Sequence, residues 1–244
     1  MIRSVWYVLS LGVITLWIGT RSIVTSWMGV RWKRGGYYDR GSRAWGTNLL
    51  KANGIALTTT GLDRLDPDQP YVFASNHTSL VDIWALMAAL PHSLRFVAKQ
   101  EMLKLPVLGR AMQAAGHIFI DRKRLKSAFG AYDAAAASIK NGISAAVFPE
   151  GTRSPNGTLM PFKRAPFVLA IAAGVPVVPV YIPDAWKILS PGSIRMHSGS
   201  VEVRFGNPIP TAGLTADDRE ALADQTRLAV EQLRTPVDPP TEAR

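Results

Sequence analysis

A short apolar strand, a polar turn and an apolar helix follow one another in this chain and limit the folds that it can adopt. Residues 71–74 have the composition of a buried strand, and apolar residues recur at helical spacing from Ser79 through Met87. His77 lies in the turn between them. Such a junction holds a side chain on a rigid scaffold and leaves it open to a ligand, and an imidazole there can accept the proton of a hydroxyl. His77 is therefore the first candidate for a functional residue.

Strands and helices continue to alternate along the chain. We predict an α/β fold in which a mixed sheet, antiparallel toward its end, carries helices on both faces and follows N-terminal membrane-associated helices. The predicted strands are residues 55–60, 71–74, 94–98, 118–120, 143–148 and 175–182, with a closing hairpin of 194–197 and 200–205. The later predicted helices are residues 125–140, 166–173 and 215–234, and a short one covers 45–52.

The length of the chain favours one main domain. Its 244 residues, of which 47% are hydrophobic, suffice for one sizeable core, whereas two full domains would be cramped. We predict a membrane-associated helical segment over residues 1–50, a globular domain over residues 51–235, and a disordered tail over residues 236–244.

An uncharged apolar stretch from Ser4 to Thr20 predicts contact with a membrane. Its seventeen residues are at the lower limit for spanning a bilayer, so the segment either crosses or lies in one leaflet. Five of the seven tryptophans fall in the first 45 residues, as expected in the headgroup zone, and the basic flank from Arg21 to Arg43 is expected to face the cytoplasm. The alternative is a cleaved signal peptide, but no small-residue cleavage site follows.

The net charge of +10 is concentrated in two segments. Residues 1–51 carry +7 and residues 95–126 carry +6, so the remainder is acidic. The first segment predicts contact with anionic lipid, and the second, next to His77 in sequence, predicts a site for a substrate phosphate. The alternative for individual residues is a solvated basic surface. A nucleic-acid partner is not expected, because the charge does not alternate with aromatic residues along one face.

Cysteine is absent, which excludes disulfides, thiolate nucleophiles and cysteine-bound metals. No other cluster of metal ligands takes its place. We therefore predict neither a metal nor a bound cofactor.

Asp82 is the natural partner of His77. Five residues on one helix would turn the two side chains about 140° apart, so they meet only if His77 precedes the first turn and folds back over it. The alternative is a capping box, in which Asp82 accepts the main-chain N–H of Ser79 and has no catalytic role. Structural roles are predicted for the other histidines, which are His92, His117 and His197.

A second polar loop follows the predicted strand 143–148 and contains Glu150, Gly151, Thr152 and Arg153. A carboxylate and a guanidinium three residues apart on a glycine-containing loop have the composition of a site for a hydroxylated phosphate. The alternative is that Glu150 and Arg153 simply pair with each other.

Four sequence blocks occur in one chain order behind the apolar segment. They are Asn76-His77 with Asp82; Lys99 to Arg122, ending in Phe119-Ile120-Asp121-Arg122; Phe148 to Ser154; and Val175-Pro176-Val177-Val178-Pro179. Together they resemble the glycerolipid acyltransferases of the 1-acylglycerol-3-phosphate acyltransferase (lysophosphatidic acid acyltransferase) type. The match departs at Ala165-Pro166, where a glycine is expected, and this bears on the flexibility of a substrate loop rather than on the chemistry.

The resemblance implies transfer of an acyl chain from acyl-CoA or acyl carrier protein to the sn-2 hydroxyl of 1-acylglycerol 3-phosphate, giving phosphatidic acid. His77 would be the general base, and Asp82 would hold the imidazole tautomer and stabilise the imidazolium. Ser79 is better explained as a helix cap than as a nucleophile. The implied substrate-binding residues are Glu150 and Gly151 at the glycerol backbone, Thr152 beside them, Arg153 with Arg122 at the phosphate, and Lys99 near the carbonyl or the phosphate.

The resemblance also implies the setting of the reaction. The partners would be a lysophospholipid, the acyl donor and membrane lipids, at the inner (cytoplasmic) membrane with the active site facing the cytoplasm. One alternative is another acceptor, such as a lyso-ornithine lipid. Two others are a thioesterase that uses His77 and Asp82 on water, and a non-catalytic lipid-binding membrane protein, which would leave Glu150 and Arg153 unexplained.

Overall fold

Alternating strands and helices build one mixed sheet in the computed structural model, which describes residues 2–121, 132, 135–235 and 241–242. The strands are β1 (Ile55–Thr60), β2 (Val72–Ser75), β3 (Leu94–Lys99), β4 (Ile118–Ile120), β5 (Ser144–Val147), β6 (Val177–Tyr181), β7 (Gly199–Phe205) and β8 (Thr241–Glu242). The helices are α1 (Ile2–Trp27), α2 (Tyr37–Ala52), α3 (Val81–Ala89), α4 (Leu108–Ala114), α5 (Ala165–Ala173), α6 (Ala185–Ile188) and α7 (Arg219–Gln232), and residues 135–140 are also helical.

The strand order in the sheet is β4-β3-β5-β2-β6-β7-β1-β8. β2 is parallel to its neighbours β5 and β6, whereas β6 and β7 are antiparallel. The predicted mixed sheet with an antiparallel part toward its end is therefore confirmed. Because parallel strands end at the same edge of a sheet, the loops that follow β2, β3 and β5 meet there.

Strand β2 is buried on both faces, as its apolar sequence requires. Phe73 lies in a core cluster with Trp84 of α3. Val72, which points to the other face, lies in a second cluster with Phe167 of α5. Helices thus cover both faces of the sheet, as predicted.

Helix α1 is fastened to the rest of the protein along its length. Its Ser10 hydroxyl accepts a hydrogen bond from the Asn53 side chain at 3.2 Å, and its Thr15 hydroxyl accepts one from Trp45 Nε1 of α2 at 2.9 Å. Tyr7 is buried in the same core cluster as the sheet. The outer side of α1 is apolar and exposed, and by length and composition the helix could cross a membrane, with a mean hydropathy of 1.5.

The predicted closing hairpin is wrong. Residues 194–197 form no strand, and β7 pairs in parallel with β1 while its end pairs antiparallel with β6. The reason is non-local: Met196 is buried in the core, and the His197 N–H bonds to the Ile188 carbonyl instead of to a neighbouring strand. Residues 194–197 therefore form a connection that is anchored to the core by Met196.

The predicted C-terminal helix over 215–234 is shorter in the structure. A capping box between Thr215 and Asp218 closes a 3-10 turn, and α7 begins at Arg219. Most of the tail over 236–244 lies outside the described residues, whereas β8 pairs antiparallel with β1.

Candidate active site

The side chain of Asn76 fixes the loop that carries His77. Its amide nitrogen donates to the Ile182 carbonyl at 2.9 Å, and its amide oxygen accepts the Ile182 N–H at 2.7 Å. Asn76 is buried, so these two bonds attach the end of β2 to the end of β6. The sequence alone indicates no role for Asn76, because its proximity to residue 182 becomes visible only in three dimensions.

Asp82 contacts His77 and also holds the main chain just before helix α3. Its Oδ2 accepts from His77 Nδ1 at 2.9 Å, from the Thr78 N–H at 2.7 Å and from the Ser79 N–H at 2.9 Å. The same oxygen thus contacts the imidazole and accepts the Ser79 N–H as the capping interpretation predicts, while the catalytic role of Asp82 stays a prediction. Because an ionised carboxylate only accepts, His77 Nδ1 is the donor, and Nε2 is left as the basic nitrogen.

The hydroxyl of Ser79 forms two hydrogen bonds within the protein. It donates to the Leu189 carbonyl at 2.7 Å and accepts the Val81 N–H at 3.2 Å. Ser79 has no exposed surface. These contacts fit a role at the start of α3 and leave the hydroxyl without access to a substrate.

The imidazole of His77 lies flat on the ring of Phe148. The ring centroids are 3.8 Å apart and the planes differ by 14°. The main chain of His77 is held as well, since its N–H donates to Glu150 Oε1 at 2.8 Å and its carbonyl accepts the Ser154 N–H at 2.8 Å. Phe148, Glu150 and Ser154 all follow β5, so two neighbouring strand ends together position the candidate base.

Glu150 is buried, with 4% of its surface exposed. Its second oxygen, Oε2, accepts the Met160 N–H at 3.2 Å. Burial raises the pKa of Glu150 to about 7, against the lowering effect of its hydrogen bonds to the His77 and Met160 N–H groups. Glu150 does not pair with Arg153, which is exposed and forms no ion pair within the described part of the chain.

Gly151 occupies a position that only glycine fits well. Its φ is +77°, and a Cβ there would lie 2.7 Å from Lys163 Nζ. Lys163 thus brings a further cation next to Gly151, in the loop that carries Arg153. Sequence reasoning missed this residue, because its contact depends on how the chain returns after Gly151, although its basic neighbour Arg164 marks a charged segment.

One cavity of about 500 Å³ collects most of the predicted site residues. Five of the predicted residues line it, namely His77, Lys99, Gly151, Thr152 and Arg153. Asp82 lies behind His77, and Glu150 lies beneath the loop. Arg122 lies outside the described residues. The rest of the lining is largely apolar and includes Ile83, Met87, Phe96, Leu108, Ala111 and Met112.

The two N-terminal helices form one wall of this cavity. Ile18 and Gly19 contribute from α1, and Gly41 and Trp45 contribute from α2. A Cβ on Gly19 would lie 2.7 Å from Val107 Cγ1, so the glycine permits close contact with the start of α4. The sequence predicted this region only as a membrane segment, because nothing local in it indicates which helix side faces a cavity.

Two of the other histidines are buried and uncharged. Burial, followed by the charge of Arg95, lowers the pKa of His117 to about 3, and its Nδ1 accepts the Phe96 N–H at 2.9 Å. Burial also lowers the pKa of His92. These two fit the predicted structural role, whereas His197 is exposed. Among the described residues no group of three or more His, Asp or Glu is placed to hold a metal ion.

A comparison with protein families gives one match over the region that builds this site. The family model described as Acyltransferase matches residues 56–183, which run from the second residue of β1 through β6 and include every site residue predicted from the sequence. The chain belongs to the acyltransferase family. This membership confirms the resemblance found in the sequence.

Individual members of the acyltransferase family show how far the similarity extends. Human 1-acyl-sn-glycerol-3-phosphate acyltransferase alpha is 41% identical over 175 residues, which are 71% of this chain and 62% of the relative. The human beta protein is 38% identical over 68% of this chain and 60% of its own length. The Saccharomyces cerevisiae enzyme of the same name is 32% identical over 71% and 58%. This chain thus spans about three fifths of the length of these relatives.

A solved structure of the acyltransferase family shares the fold over nearly the whole chain. The 1-acyl-sn-glycerophosphate (LPA) acyltransferase PlsC from Thermotoga maritima superposes with a TM-score of 0.76, covering 98% of this chain and 97% of that one. The two sequences are 22% identical. The architecture, including the two N-terminal helices, therefore has a counterpart in an experimental structure.

Proposed function

We propose that this chain transfers a fatty acyl group from acyl-CoA or acyl carrier protein to the sn-2 hydroxyl of 1-acylglycerol 3-phosphate, giving phosphatidic acid. One observation carries the proposal: the His77–Asp82 pair opens into a cavity that is cationic at Lys99 and Arg153 and apolar beyond them. A phosphate and an acyl chain on one acceptor need those two environments. The names of the relatives support the same activity.

The reaction follows from the free nitrogen of His77. Nε2 takes the proton of the acceptor hydroxyl as its oxygen attacks the thioester carbonyl carbon, and Asp82 stabilises the imidazolium through Nδ1. A C–O bond forms, the C–S bond then breaks, and the leaving thiolate takes the proton back from the imidazolium. The acyl group passes directly to the acceptor, and the buried hydroxyl of Ser79 takes no part.

The acceptor phosphate is assigned to the exposed cations of the loop. Arg153 can grip phosphate with two parallel N–H groups, and Lys163 and Lys99 add charge nearby. Arg122 keeps the role implied by the resemblance, and Gly151 and Thr152 shape the loop. Glu150 is assigned to the main chain of His77 instead of to the glycerol backbone, because both of its oxygens already accept N–H groups of the protein.

Helix α1 is assigned to one leaflet of the inner membrane, with the active site on the cytoplasmic side. It is held against the folded domain at Trp6, whose Nε1 donates to the Ala52 carbonyl, and at Gly19, which packs against Val107, so a crossing would carry that domain into the bilayer. The chain has no cysteine, so single cysteines placed at Ile2 and at Trp27 can be labelled separately. Both should react with a membrane-impermeant maleimide from the same side; opposite sides would show that α1 crosses.

Turnover by the full-length protein tests the activity. Thiol release from acyl-CoA, and from acyl carrier protein, is measured with lysophosphatidate, with a lyso-ornithine lipid and without acceptor. Release is expected only with lysophosphatidate, together with phosphatidic acid. Free fatty acid without any acceptor would identify a thioesterase, and preference for the ornithine lipid would reassign the acceptor.

Two histidine variants give the matched control. His77→Ala should abolish transfer while the protein still folds, because it removes the base from the cavity lining and leaves the buried core in place. His197→Ala removes an exposed histidine and should change neither the rate of acyl transfer nor the melting temperature. Transfer that survives in His77→Ala would exclude His77 as the base.

A further inference from the structure

A second cavity, of about 600 Å³, lies at the C-terminal end of α1. It shares α1 and α4 with the His77 cavity but uses different residues of both helices. Its polar and aromatic lining consists of Ser26, Trp27, Arg31, Trp32, Arg110 and Gln113. We call it the Arg31–Arg110 cavity. The proposed acyl transfer assigns it no role.

The charge of the Arg31–Arg110 cavity is not neutralised. Both arginines are exposed, and neither has a carboxylate partner among the residues that the structure describes. Other arginines are paired: Arg34 with Asp68 at 2.5 Å, for example, and Arg95 with Asp39 at 2.8 Å. The described lining includes no acidic side chain. Two unpaired guanidinium groups facing one concave site favour an anion.

One wall of the cavity is fixed by buried groups. Trp32 Nε1 donates to Asp39 Oδ1 at 3.3 Å, and the Arg95 guanidinium lies 5.2 Å from the Trp32 ring. Arg95 and Asp39 are themselves buried. The position of Trp32 is therefore set by the protein core, while Arg110 is carried on helix α4, so the cavity joins two elements of fixed geometry.

The border of the cavity is apolar. Trp27 and Met28 are 76% and 77% exposed, and Val30 is 43% exposed, at the end of the apolar outer side of α1. A ligand that binds here therefore meets positive charge inside and an apolar surface beside it. That combination matches an amphiphile whose acidic group enters the cavity while its chains follow α1.

We propose that the Arg31–Arg110 cavity binds the phosphate group of an anionic membrane phospholipid, at a site separate from the acceptor site at His77. The bound lipid connects the segment after α1 with helix α4. It therefore adds a specific lipid contact to the general attraction of the basic flank for anionic membranes. The inference rests on this cavity and its charges and does not depend on the chemistry at His77.

The experiment is native mass spectrometry of the detergent-purified full-length protein with phosphatidylglycerol, and with phosphatidylcholine as the neutral lipid. Arg31→Gln and Arg110→Gln each remove one charge from the cavity. Lys33→Gln and Lys104→Gln are the matched controls, because both lysines are exposed and lie off its lining. Each arginine variant should retain phosphatidylglycerol about tenfold more weakly, the size expected for one charge-assisted hydrogen bond.

The two controls should bind phosphatidylglycerol like the unmodified protein, and phosphatidylcholine should be retained less by all. Arg153→Ala should still retain the lipid, because the acceptor site is a different one. Equal retention by the arginine variants and their controls would overturn the proposal. So would a rise in KM for acyl-CoA in Arg31→Gln and Arg110→Gln at unchanged lipid retention, because the phosphate would then belong to the nucleotide of the donor.

Discussion

The carboxylate of Glu150 accepts the main-chain N–H of His77 at 2.8 Å. The Ser154 N–H reaches the carbonyl of the same histidine at 2.8 Å. The loop that carries Arg153 therefore holds the main chain of the candidate base from both sides. The proposed phosphate contact and the position of the imidazole share one structural element, so a change in the loop can alter the position of His77 without altering its side chain.

Glu150→Gln is expected to lower kcat while leaving the acceptor KM nearly unchanged. Glutamine offers one acceptor oxygen to two N–H donors, so the N–H of either His77 or Met160 loses its partner. A small displacement of the base then lowers kcat by about tenfold to about 100-fold. Steady-state kinetics with varied lysophosphatidate measure the split.

Glu101→Gln is the control for that experiment, because it removes an exposed carboxylate that follows β3. Its kinetics should match those of the unmodified protein. A rise in the acceptor KM of Glu150→Gln at constant kcat would instead place Glu150 in contact with the glycerol backbone, as the family resemblance implies.

The stability of the protein should fall as the pH rises through the titration of Glu150. Burial raises its pKa from 4.5 to about 7. The folded protein then keeps this proton to a higher pH than the unfolded chain, so folding binds a proton between those values and the free energy of unfolding decreases with pH. The decrease from this group is at most about 3 kcal/mol.

Glu150→Gln lacks this titration and isolates it. Denaturant unfolding of both proteins across that pH range should show the unmodified chain losing stability relative to the variant as the pH rises. Activity should move in the opposite direction, because only the ionised carboxylate accepts at both oxygens. A difference in unfolding free energy that stays constant with pH would contradict the raised pKa.

Asp82→Asn should keep the fold but lose most of the activity. The amide oxygen can take the place of Oδ2, which accepts all three hydrogen bonds, so the start of α3 is retained. The negative charge that stabilises the imidazolium is lost, and kcat should fall by between about 10²-fold and about 10⁴-fold. The new NH₂ group takes the place of Oδ1, which is buried and has no hydrogen-bond partner within the described residues. Because a buried donor is then left unpaired, the free energy of unfolding should fall by about 1–3 kcal/mol.

Turnover and a melting curve on the same preparation decide this case. A large loss of stability with activity retained in the folded fraction would assign Asp82 to capping alone.

Much of the candidate site could be predicted because its signals are local. The strand before His77, the apolar helix after it and the spacing to Asp82 are neighbouring features of one short segment. The contacts of Glu150 and Lys163 could not be predicted in this way, since they depend on a loop that returns to the end of another strand. The same holds for β7, whose parallel partner β1 lies far away in sequence.

Arg153→Ala is expected to raise the KM for lysophosphatidate about tenfold, the loss expected for one charge-assisted contact with the phosphate. The KM for the acyl donor should change little. Arg153→Lys should restore only part of the affinity, because an ammonium group lacks the paired N–H donors of a guanidinium. Lys163→Ala should act in the same direction if its ammonium lies over the same phosphate.

Arg195→Ala removes an exposed arginine outside the cavity lining and serves as the control. An equal rise in the KM for donor and acceptor in Arg153→Ala would show that Arg153 supports the structure of the loop and does not bind the acceptor phosphate.

Gly41→Leu is expected to shorten the acyl chain that the protein accepts. Gly41 lies within α2 on the cavity wall, and a Cβ there meets nothing nearer than Ser22 Oγ at 3.9 Å. Replacing a helical glycine by leucine gains about 0.8 kcal/mol of helix propensity. The added side chain fills space that a long acyl chain would occupy, and each methylene excluded costs about 0.8 kcal/mol.

Gly12→Leu is the matched control, because Gly12 is exposed within α1, does not line the cavity, and has nothing within 4 Å of its Cβ position. It should gain helix propensity without any change in chain preference. Turnover is measured while the chain length of the donor and that of the acceptor are varied one at a time. If Gly41→Leu loses activity with long chains on only one of the two substrates, the acyl chain of that substrate lies between α1 and α2. Identical chain-length profiles for Gly41→Leu and Gly12→Leu would show that neither the donor chain nor the acceptor chain lies there.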